Sequence, residues 1–408
     1  MKAFLDVEKI RCDFPILESV IYGKPLVYLD NAATTQKPLS VLDQIKSFYS
    51  HWNSNVHRGS HYLSEKASVL YESAREAVRQ FIGAKSPQEI IFTSGTTASI
   101  NLVAQSFGKY NLKTNDEIII TEMEHHSNLV PWQMICKNNG ASLRIIPFDD
   151  NGMLRIKSID SIFTDKTKLI ALTHVSNVTG VINPVKEIIV AAHARGIPVL
   201  LDGAQSVSHQ PIDVELLDCD FFVFSGHKMY AETGIGVLYG KTLWLEQMPP
   251  TQFGGGMISS VDFNNTTFAE IPFKFEAGTQ NFAGAVSIAA AIRYINDIGI
   301  NEIHSHEQHL LQYAQQRLAE IDGIILYAQS ARKSGLLSFN IKNVSPFDAA
   351  MILDKMGIAV RSGTHCALPV MKHFGIQGTI RVSLALYNTI GEIDLLVKGV
   401  RRARQILQ

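Results

Sequence analysis

The chain has 408 residues, 46% of them hydrophobic and 18% charged, which suits a soluble globular protein with two domains or one large domain and an appendage. A formal net charge of −1 gives no electrostatic reason to expect a nucleic-acid partner or binding to an anionic membrane. No stretch approaches the roughly 18 apolar residues of a membrane-spanning helix, and the charged N-terminal segment does not resemble a secretory signal. The four scattered cysteines fit a reducing compartment, so we expect a cytoplasmic protein.

Strand-like and helix-like stretches alternate between residues 65 and 245. An amphipathic helix is predicted over 64–81, ended by Gly83, and another helical stretch covers 185–196. Continuous rather than alternating hydrophobicity in the β-rich runs indicates strands that are covered on both faces. We therefore predict an α/β fold with a mainly parallel sheet and helices on both of its faces. The predicted strands are 89–93, 117–121, 168–175, 197–202, 221–224 and 235–240.

The pattern changes after residue 285. Two helical stretches precede a strand at 335–341, a helix opened by Ser345 and Pro346, a second strand at 380–389, and a last helix over 390–407. Thr389 and Glu392 form a capping-box pattern before that last helix. These elements predict a smaller α+β domain. We expect a large domain over 20–285 and a small domain built from 1–19 and 286–408.

Polar side chains follow each predicted strand, and the carboxyl ends of the strands are where ligands gather in an open α/β sheet. Each short motif has an ordinary explanation as a helix N-cap or a turn. Together they place a phosphate site, a flat ring, a carboxylate, an amide and a lysine at one edge of one sheet. The motifs are SGTT (94–97), EHHSN (124–128), SN (176–177), DGAQ (202–205) and SGHK (225–228).

This set of groups is the one that pyridoxal 5'-phosphate requires. A fixed carboxylate keeps the ring nitrogen of the cofactor protonated, and a lysine amine holds its aldehyde as a Schiff base. Partial burial of Lys228 at a strand end lowers the pKa of its amine and so frees the nucleophile.

Several motifs, in order along the chain, resemble those of the class V, fold-type I pyridoxal phosphate enzymes, and within that class the SufS-type (group II) cysteine desulfurases. The resemblance extends from about residue 8 to residue 400. The motifs are YLDNAATTQKP (28–38), SGTT, MEHHSN (123–128), THVSNVTG (173–180), DGAQS, SGHK and RSGTHCALP (361–369).

The resemblance implies a role for each cofactor-binding residue. Lys228 forms the Schiff base, Asp202 pairs with the pyridinium nitrogen, His125 stacks on the ring, and Gln205 faces the phenolic oxygen. The phosphate is bound by Thr97, Ser225 and His227, and by Thr279 of the other subunit, which implies a homodimer. No metal is expected.

The resemblance also implies the substrate site and the reaction. Asn177, His57, Arg361 and Arg381 lie around L-cysteine, and Arg381 is the best candidate for the carboxylate clamp because guanidinium binds carboxylate bidentately. Cys366, a loop thiol between two arginines in sequence, takes the sulfur as a persulfide, and an acceptor protein of the SufE or SufU type collects it for iron–sulfur cluster assembly. We expect the other three cysteines to be buried and inert.

Alternatives stay open at this stage: a selenocysteine lyase acting on L-selenocysteine, another pyridoxal phosphate β-lyase, or a non-catalytic protein that keeps the fold. The sequence also departs from the family pattern at two places. Ala231 and Glu232 stand where the family usually has Gly-Pro, and Thr364 replaces a histidine two residues before Cys366.

Overall fold

A computed structural model describes residues 5–156, 159–329 and 331–408. No helix in these ranges is both long enough and apolar enough to cross a lipid bilayer. The α-helices are Val7–Arg11, Leu39–Ser47, Tyr62–Phe81, Thr96–Asn111, Val130–Asn139, Val185–His193, Val214–Leu217, Thr242–Gln247, Phe282–Ile298, Ile300–Ala319, Pro346–Lys355, Leu368–His373 and Ile390–Leu407.

A seven-stranded sheet forms the centre of the fold, and it confirms the predicted α/β architecture. The strands are β1 Ile90–Thr93, β2 Glu117–Thr121, β3 Ser142–Ile146, β4 Thr167–Thr173, β5 Val199–Asp202, β6 Phe221–Ser225 and β7 Gly236–Gly240. Strands β2 to β6 run parallel, and β7 is inserted antiparallel between β1 and β6, which gives the order β1-β7-β6-β5-β4-β2-β3.

The central strands are apolar on both sides because helices cover both faces of the sheet. Every residue of β5, β6 and β7 is buried. Strand β3, with the pattern Ser-Leu-Arg-Ile-Ile, was not among the predicted strands. It lies at the edge of the sheet, where only one of its five side chains is buried and the continuous apolar pattern of the central strands is not required.

A second sheet of four strands follows later in the chain, in the order β8-β9-β11-β10. Its strands are β8 Ile324–Leu326, β9 Leu336–Ile341, β10 Arg361–Gly363 and β11 Thr379–Ser383. The strand predicted over 380–389 is therefore shorter than expected. It ends at Ser383 because the chain then turns, and the Asn388 side chain closes that turn by accepting from the Ala385 amide at 2.8 Å.

Two short strand pairs complete the sheets: Val20–Ile21 with Lys24–Pro25, and Ile258–Val261 with Thr266–Phe268. The strand Val27–Tyr28 pairs in parallel with Ile358–Ala359, and so joins an early segment to a late one. The predicted capping box at Thr389 is present, and so is the Ser345 cap of helix Pro346–Lys355.

The hydrophobic core has three main parts. The largest includes Phe14, the buried face of helix Tyr62–Phe81, and helix Phe282–Ile298, which packs on helices Leu39–Ser47 and Tyr62–Phe81. A second packs helices Thr96–Asn111 and Val130–Asn139 on the seven-stranded sheet. The third lies beneath the four-stranded sheet and includes Val27 and the buried face of helix Ile390–Leu407. The division of the chain at residue 285 stays a prediction.

Candidate active site

A cavity of about 230 Å³ opens at the carboxyl edge of the seven-stranded sheet. It collects eleven of the thirteen residues that the sequence predicted for the site, which follow strands β1, β2, β4, β5 and β6 or come from the second sheet and its loop. They are Thr97, His125, Asn177, Asp202, Gln205, Ser225, His227, Lys228, Arg361, Cys366 and Arg381.

One end of the cavity is built from hydroxyl groups at the start of helix Thr96–Asn111. Ser225 Oγ accepts from the Thr96 amide at 2.8 Å, and Thr97 Oγ1 lies 2.6 Å from Ser127 Oγ. Free amides and hydroxyls at a helix N-terminus suit a phosphate group, because the helix dipole is positive there. The close approach of β7 to this loop requires glycine: a Cβ on Gly236 would lie 2.4 Å from the Cα of Gly95.

The middle of the cavity contains an acid and an amine. Asp202 is 5% exposed and accepts from the Ala204 amide at 3.0 Å, and burial raises the pKa of its carboxyl. Burial lowers the pKa of Lys228 to about 8, which the charge of Asp202 opposes and the charges of Arg381 and Arg361 reinforce. At pH 7 roughly a tenth of the lysine is therefore free amine, far more than for a lysine with its ordinary pKa.

His125 lies beside this pair. Burial, and after it the charge of Lys228, lowers the pKa of His125 to about 4, so the imidazole is neutral at physiological pH. Its Nδ1 is 3.0 Å from Ser127 Oγ, which fixes the ring plane. A neutral, oriented ring is suited to stacking on a cofactor ring.

The thiol of Cys366 is exposed at the mouth of the cavity. Two contacts fix its loop: the His126 amide donates to the Cys366 carbonyl at 2.7 Å, and Asn177 Nδ2 donates to the His365 carbonyl at 2.7 Å. His365 and Cys366 both have positive φ, 53° and 55°, which is uncommon for residues with a Cβ and holds the thiol away from a regular strand. The buried Ala367 ties the far end of the loop to a small apolar cluster.

The other cysteines differ from Cys366 and from one another. Cys136 and Cys219 are buried, and burial raises the pKa of both thiols, that of Cys136 to about 11. The expectation that Cys12 is buried is wrong. It caps the end of the short helix Val7–Arg11 at the surface, where its thiol donates to the Glu8 carbonyl at 3.4 Å.

The two arginines share one carboxylate. Asp30 Oδ1 accepts from Arg381 Nη2 at 3.1 Å, and Asp30 Oδ2 lies 3.7 Å from Arg361 Nη1. Arg381 also donates to the Asn177 carbonyl at 2.9 Å, yet its buried Nε has no hydrogen-bond partner among the described residues, and neither has the Asn177 side-chain oxygen. Buried polar atoms without partners require an explanation, and beside a cavity a bound ligand supplies one.

These residues fit the pyridoxal 5'-phosphate that the sequence predicted. A hydroxyl-lined helix terminus suits its phosphate, the buried Asp202 its ring nitrogen, and the partly deprotonated Lys228 its aldehyde. The raised pKa of Asp202 is expected of a carboxylate that lacks its cationic partner, since a protonated ring nitrogen would offset the cost of its burial.

Two predicted residues lie outside this cavity in the single chain. His57 and Thr279 line a separate cavity of about 560 Å³ with Arg58, Gly255 and Gly256. His57 Nε2 is 3.1 Å from a Glu72 carboxylate oxygen. Their roles toward phosphate and substrate stay predictions.

Several residues in or beside the cavity were not assigned a role from the sequence, among them Asp30, Lys37, Glu124 and Ser127. Lys37 Nζ donates to the Thr35 carbonyl at 2.5 Å and to the His227 carbonyl at 3.2 Å, beside the candidate catalytic lysine. All four stand within motifs that were recognised, YLDNAATTQKP and MEHHSN, so a close reading of charged and hydroxyl positions inside those motifs could have found them.

The sheet order and the lysine, carboxylate and phosphate-binding groups at its edge define a class of protein. The chain belongs to the class-V aminotransferase family, whose model matches residues 27–396. It is 51% identical over 401 residues to the probable cysteine desulfurase of Halalkalibacterium halodurans, and the aligned region covers 98% of each chain. It is 48% identical over 402 residues to a cysteine desulfurase of Salmonella agona, covering 98% of this chain and 99% of that one.

Solved structures agree with the fold. The crystal structure of the cysteine desulfurase CsdA from Escherichia coli superimposes with a TM-score of 0.91 at 39% identity, covering 100% of both chains. The apo structure of a cysteine desulfurase from Thermococcus onnurineus gives a TM-score of 0.93 at 38% identity and covers 99% of both.

Proposed function

We propose that this chain is a pyridoxal 5'-phosphate-dependent cysteine desulfurase of the SufS type, which converts L-cysteine to L-alanine and keeps the sulfur as a persulfide on Cys366. The observation that carries the proposal is that Cys366, Lys228 and the Arg361–Arg381 pair line one cavity. The full-length similarity to cysteine desulfurases supports the same reaction.

The cofactor is bound by groups of distinct chemistry. Thr97, Ser225 and His227 would bind its phosphate, Asp202 its ring nitrogen and Lys228 its aldehyde, while Gln205 and His125 would fix its ring. When bound, it supplies an electron sink that acidifies the Cα proton of an attached amino acid.

The arginines orient the substrate. Arg381, which is 2% exposed, would bind the substrate carboxylate through its unpartnered Nε, and Arg361 would add charge from the more open side. Lys228 would then take the Cα proton, since its pKa, lowered to about 8, makes free amine available near neutral pH.

Cys366 completes the reaction. Its thiolate Sγ forms a bond to the substrate sulfur as the substrate Cβ–S bond breaks, and the electron pair of that bond stays with the three-carbon fragment. Protonation of the fragment gives alanine, and Cys366 retains the sulfur as a persulfide for an acceptor protein of the SufE or SufU type. The exposure of Cys366 at the cavity mouth supports such a transfer, because an acceptor has to reach the sulfur.

We also propose a cytoplasmic homodimer in which Thr279 contributes to the partner's phosphate site. The support is that Thr279 and His57 line an open cavity outside the site of their own chain. Light scattering of the purified protein tests the dimer, and a monomer with full activity would contradict it.

The test of the reaction is mass spectrometry of Cys366 after incubation with L-cysteine. We expect a gain of about 32 Da on the peptide that contains Cys366, as a persulfide adds one sulfur. Cys366→Ser should retain the cofactor but lose alanine release, whereas Cys12→Ser, which changes the other exposed thiol, should leave both unchanged. Alanine release at the unmodified rate from Cys366→Ser would exclude the thiol from the mechanism.

A further inference from the structure

A second concave surface lies away from the active site, between helices Pro346–Lys355 and Ile390–Leu407. It has a volume of about 850 Å³ and shares no lining residue with the candidate active site. We call it the basic groove. Its apolar floor is formed by Met351, Ile352, Met356, Val397 and Ile406.

Two of the five apolar side chains of the floor are exposed, whereas Val397 is buried. Met351 and Ile406 are each 52% exposed. Methionine and branched aliphatic side chains in a groove are suited to an apolar helix face, because methionine adapts to the shape of its partner. Gly399 lets the two helices approach, since a Cβ there would lie 2.6 Å from Leu353 Cδ2.

The rim of the groove is strongly basic. Five basic side chains and one acidic side chain line it, in a chain whose formal net charge is −1. The acidic one, Asp394, already accepts from Tyr313 Oη at 2.8 Å and lies 3.8 Å from Arg317 Nε. The basic side chains are Arg317, Lys355, Lys398, Arg401 and Arg402.

Four of these cations have no internal counter-ion. One of them, Lys355, has its Nζ 3.9 Å from the centre of the Tyr22 ring, and the other three lie on the last helix. Within the described ranges, no carboxylate lies within ion-pair distance of Lys398, Arg401 or Arg402, whereas the neighbouring Arg404 pairs with Asp322 at 2.6 Å. All three are exposed. Clustered, unpaired cations repel one another, so an anionic partner would relieve a repulsion and also add attraction.

The shape of the groove selects the kind of anion. From Asp394 to Ile406 the helix that forms one wall spans about 18 Å, the length of about three helical turns. None of the lining residues is aromatic, and base stacking on aromatic rings is what binds single-stranded nucleic acid. We propose that the basic groove docks an acidic amphipathic helix of a partner protein, with its apolar face on the floor and its carboxylates on the rim.

The experiment measures binding directly, so its outcome is independent of the proposed desulfurase activity. The probe is a labelled peptide of about 16 residues with leucine at helical i, i+3, i+4 and i+7 spacing and glutamate elsewhere, because shorter helices are marginal in water. A matched peptide carries lysine in place of each glutamate. Fluorescence anisotropy with the full-length holoenzyme should show binding of the acidic peptide only, weakening as salt is raised.

Variants locate the binding surface. Arg401→Glu combined with Arg402→Glu should weaken binding of the acidic peptide about tenfold or more, and Met351→Ser combined with Ile406→Ser should also weaken it. The matched control combines Lys113→Glu with Lys137→Glu, which change two exposed lysines outside the groove. This variant should bind the acidic peptide as tightly as the unmodified protein does. Cysteine desulfurase activity should be unchanged in all three, and circular dichroism checks their folding.

Several results would overturn the proposal. The acidic peptide does not bind, or it binds equally to the two groove variants. Vesicles of phosphatidylglycerol bind through Arg401 and Arg402 while the peptide does not, which would make the groove a membrane contact. The protein forms larger assemblies that the charge reversal dissolves, which would make a second copy of this chain the occupant.

Discussion

Asp30 links Arg361 and Arg381, with its two carboxylate oxygens 3.7 Å and 3.1 Å from the respective guanidinium groups. It is the internal counter-ion of the proposed carboxylate clamp. Because Arg381 is 2% exposed, its charge depends on this partner more than the charge of a surface arginine would.

Asp30→Asn should therefore lower the free energy of unfolding by about 2 kcal/mol, since the buried Arg381 loses the counter-ion that the partly exposed Asp30 supplies. Urea unfolding measures the change. Asp322→Asn is the matched control, because Asp322 is 88% exposed in its pair with Arg404 and should contribute no more than about 1 kcal/mol. Equal effects of the two substitutions would show that Asp30 does not hold the clamp.

The lowered pKa of Lys228 predicts how cofactor uptake depends on pH. In the cofactor-free protein the amine attacks the aldehyde only when deprotonated, so the uptake rate should rise with pH and level off above about 8. Stopped-flow absorbance after addition of pyridoxal 5'-phosphate measures it. In Asp202→Asn the midpoint of the dependence of the uptake rate on pH should move to lower pH, because the negative charge that raises the pKa of Lys228 is removed. A midpoint near the ordinary lysine value of 10.5 would contradict the burial of the amine.

Both carboxylate oxygens of Glu124 accept hydrogen bonds, so replacing this side chain should lower the stability of the protein. One of its oxygens accepts from Thr121 Oγ1 at 2.5 Å and from the Thr173 amide at 3.0 Å, and the other accepts from Asn128 Nδ2 at 2.7 Å. Glu124→Gln places an amide donor against one of these donors, so stability should fall by about 1–3 kcal/mol.

Urea unfolding again gives the value for Glu124→Gln, and the exposed Glu65→Gln, with an effect within about 0.5 kcal/mol, serves as the comparison. Unchanged stability in Glu124→Gln would mean that the side-chain network around it rearranges freely.

The close packing of Gly236 against the loop before helix Thr96–Asn111 predicts that a larger residue at this position weakens cofactor binding. A Cβ at this position would lie 2.4 Å from Gly95 Cα, so Gly236→Ala displaces the loop that opens helix Thr96–Asn111. We expect the dissociation constant for pyridoxal 5'-phosphate to rise about tenfold, the equivalent of a moderate overpacking penalty.

Fluorescence titration of the cofactor-free protein measures that constant. Gly391→Ala is the control, since the nearest atom to its added Cβ is 3.8 Å away and the position lies in the first turn of the last helix. Undiminished affinity in Gly236→Ala would show that the loop tolerates displacement.

The sequence by itself determined the parallel sheet and the residues at its carboxyl edge. The strands are apolar on both faces, and the groups that follow them are brought to one edge by the sheet topology alone, so Thr97, His125, Asp202 and Lys228 could be placed together before any contact was known. The edge strand Ser142–Ile146 was missed because its partial exposure removes the continuous apolar signal.

Only the tertiary structure decided which distant groups meet. The contact of Asp30 with Arg381 joins residues 351 positions apart, and the contact of Asn177 with the carbonyl before Cys366 spans 188. Contacts of this kind depend on how distant parts of the chain pack against each other. The hydrophobic pattern within a single helix or strand does not predict that packing. The same limit applies to the basic groove, because the pairing of its two helix faces becomes visible only when the helices lie side by side.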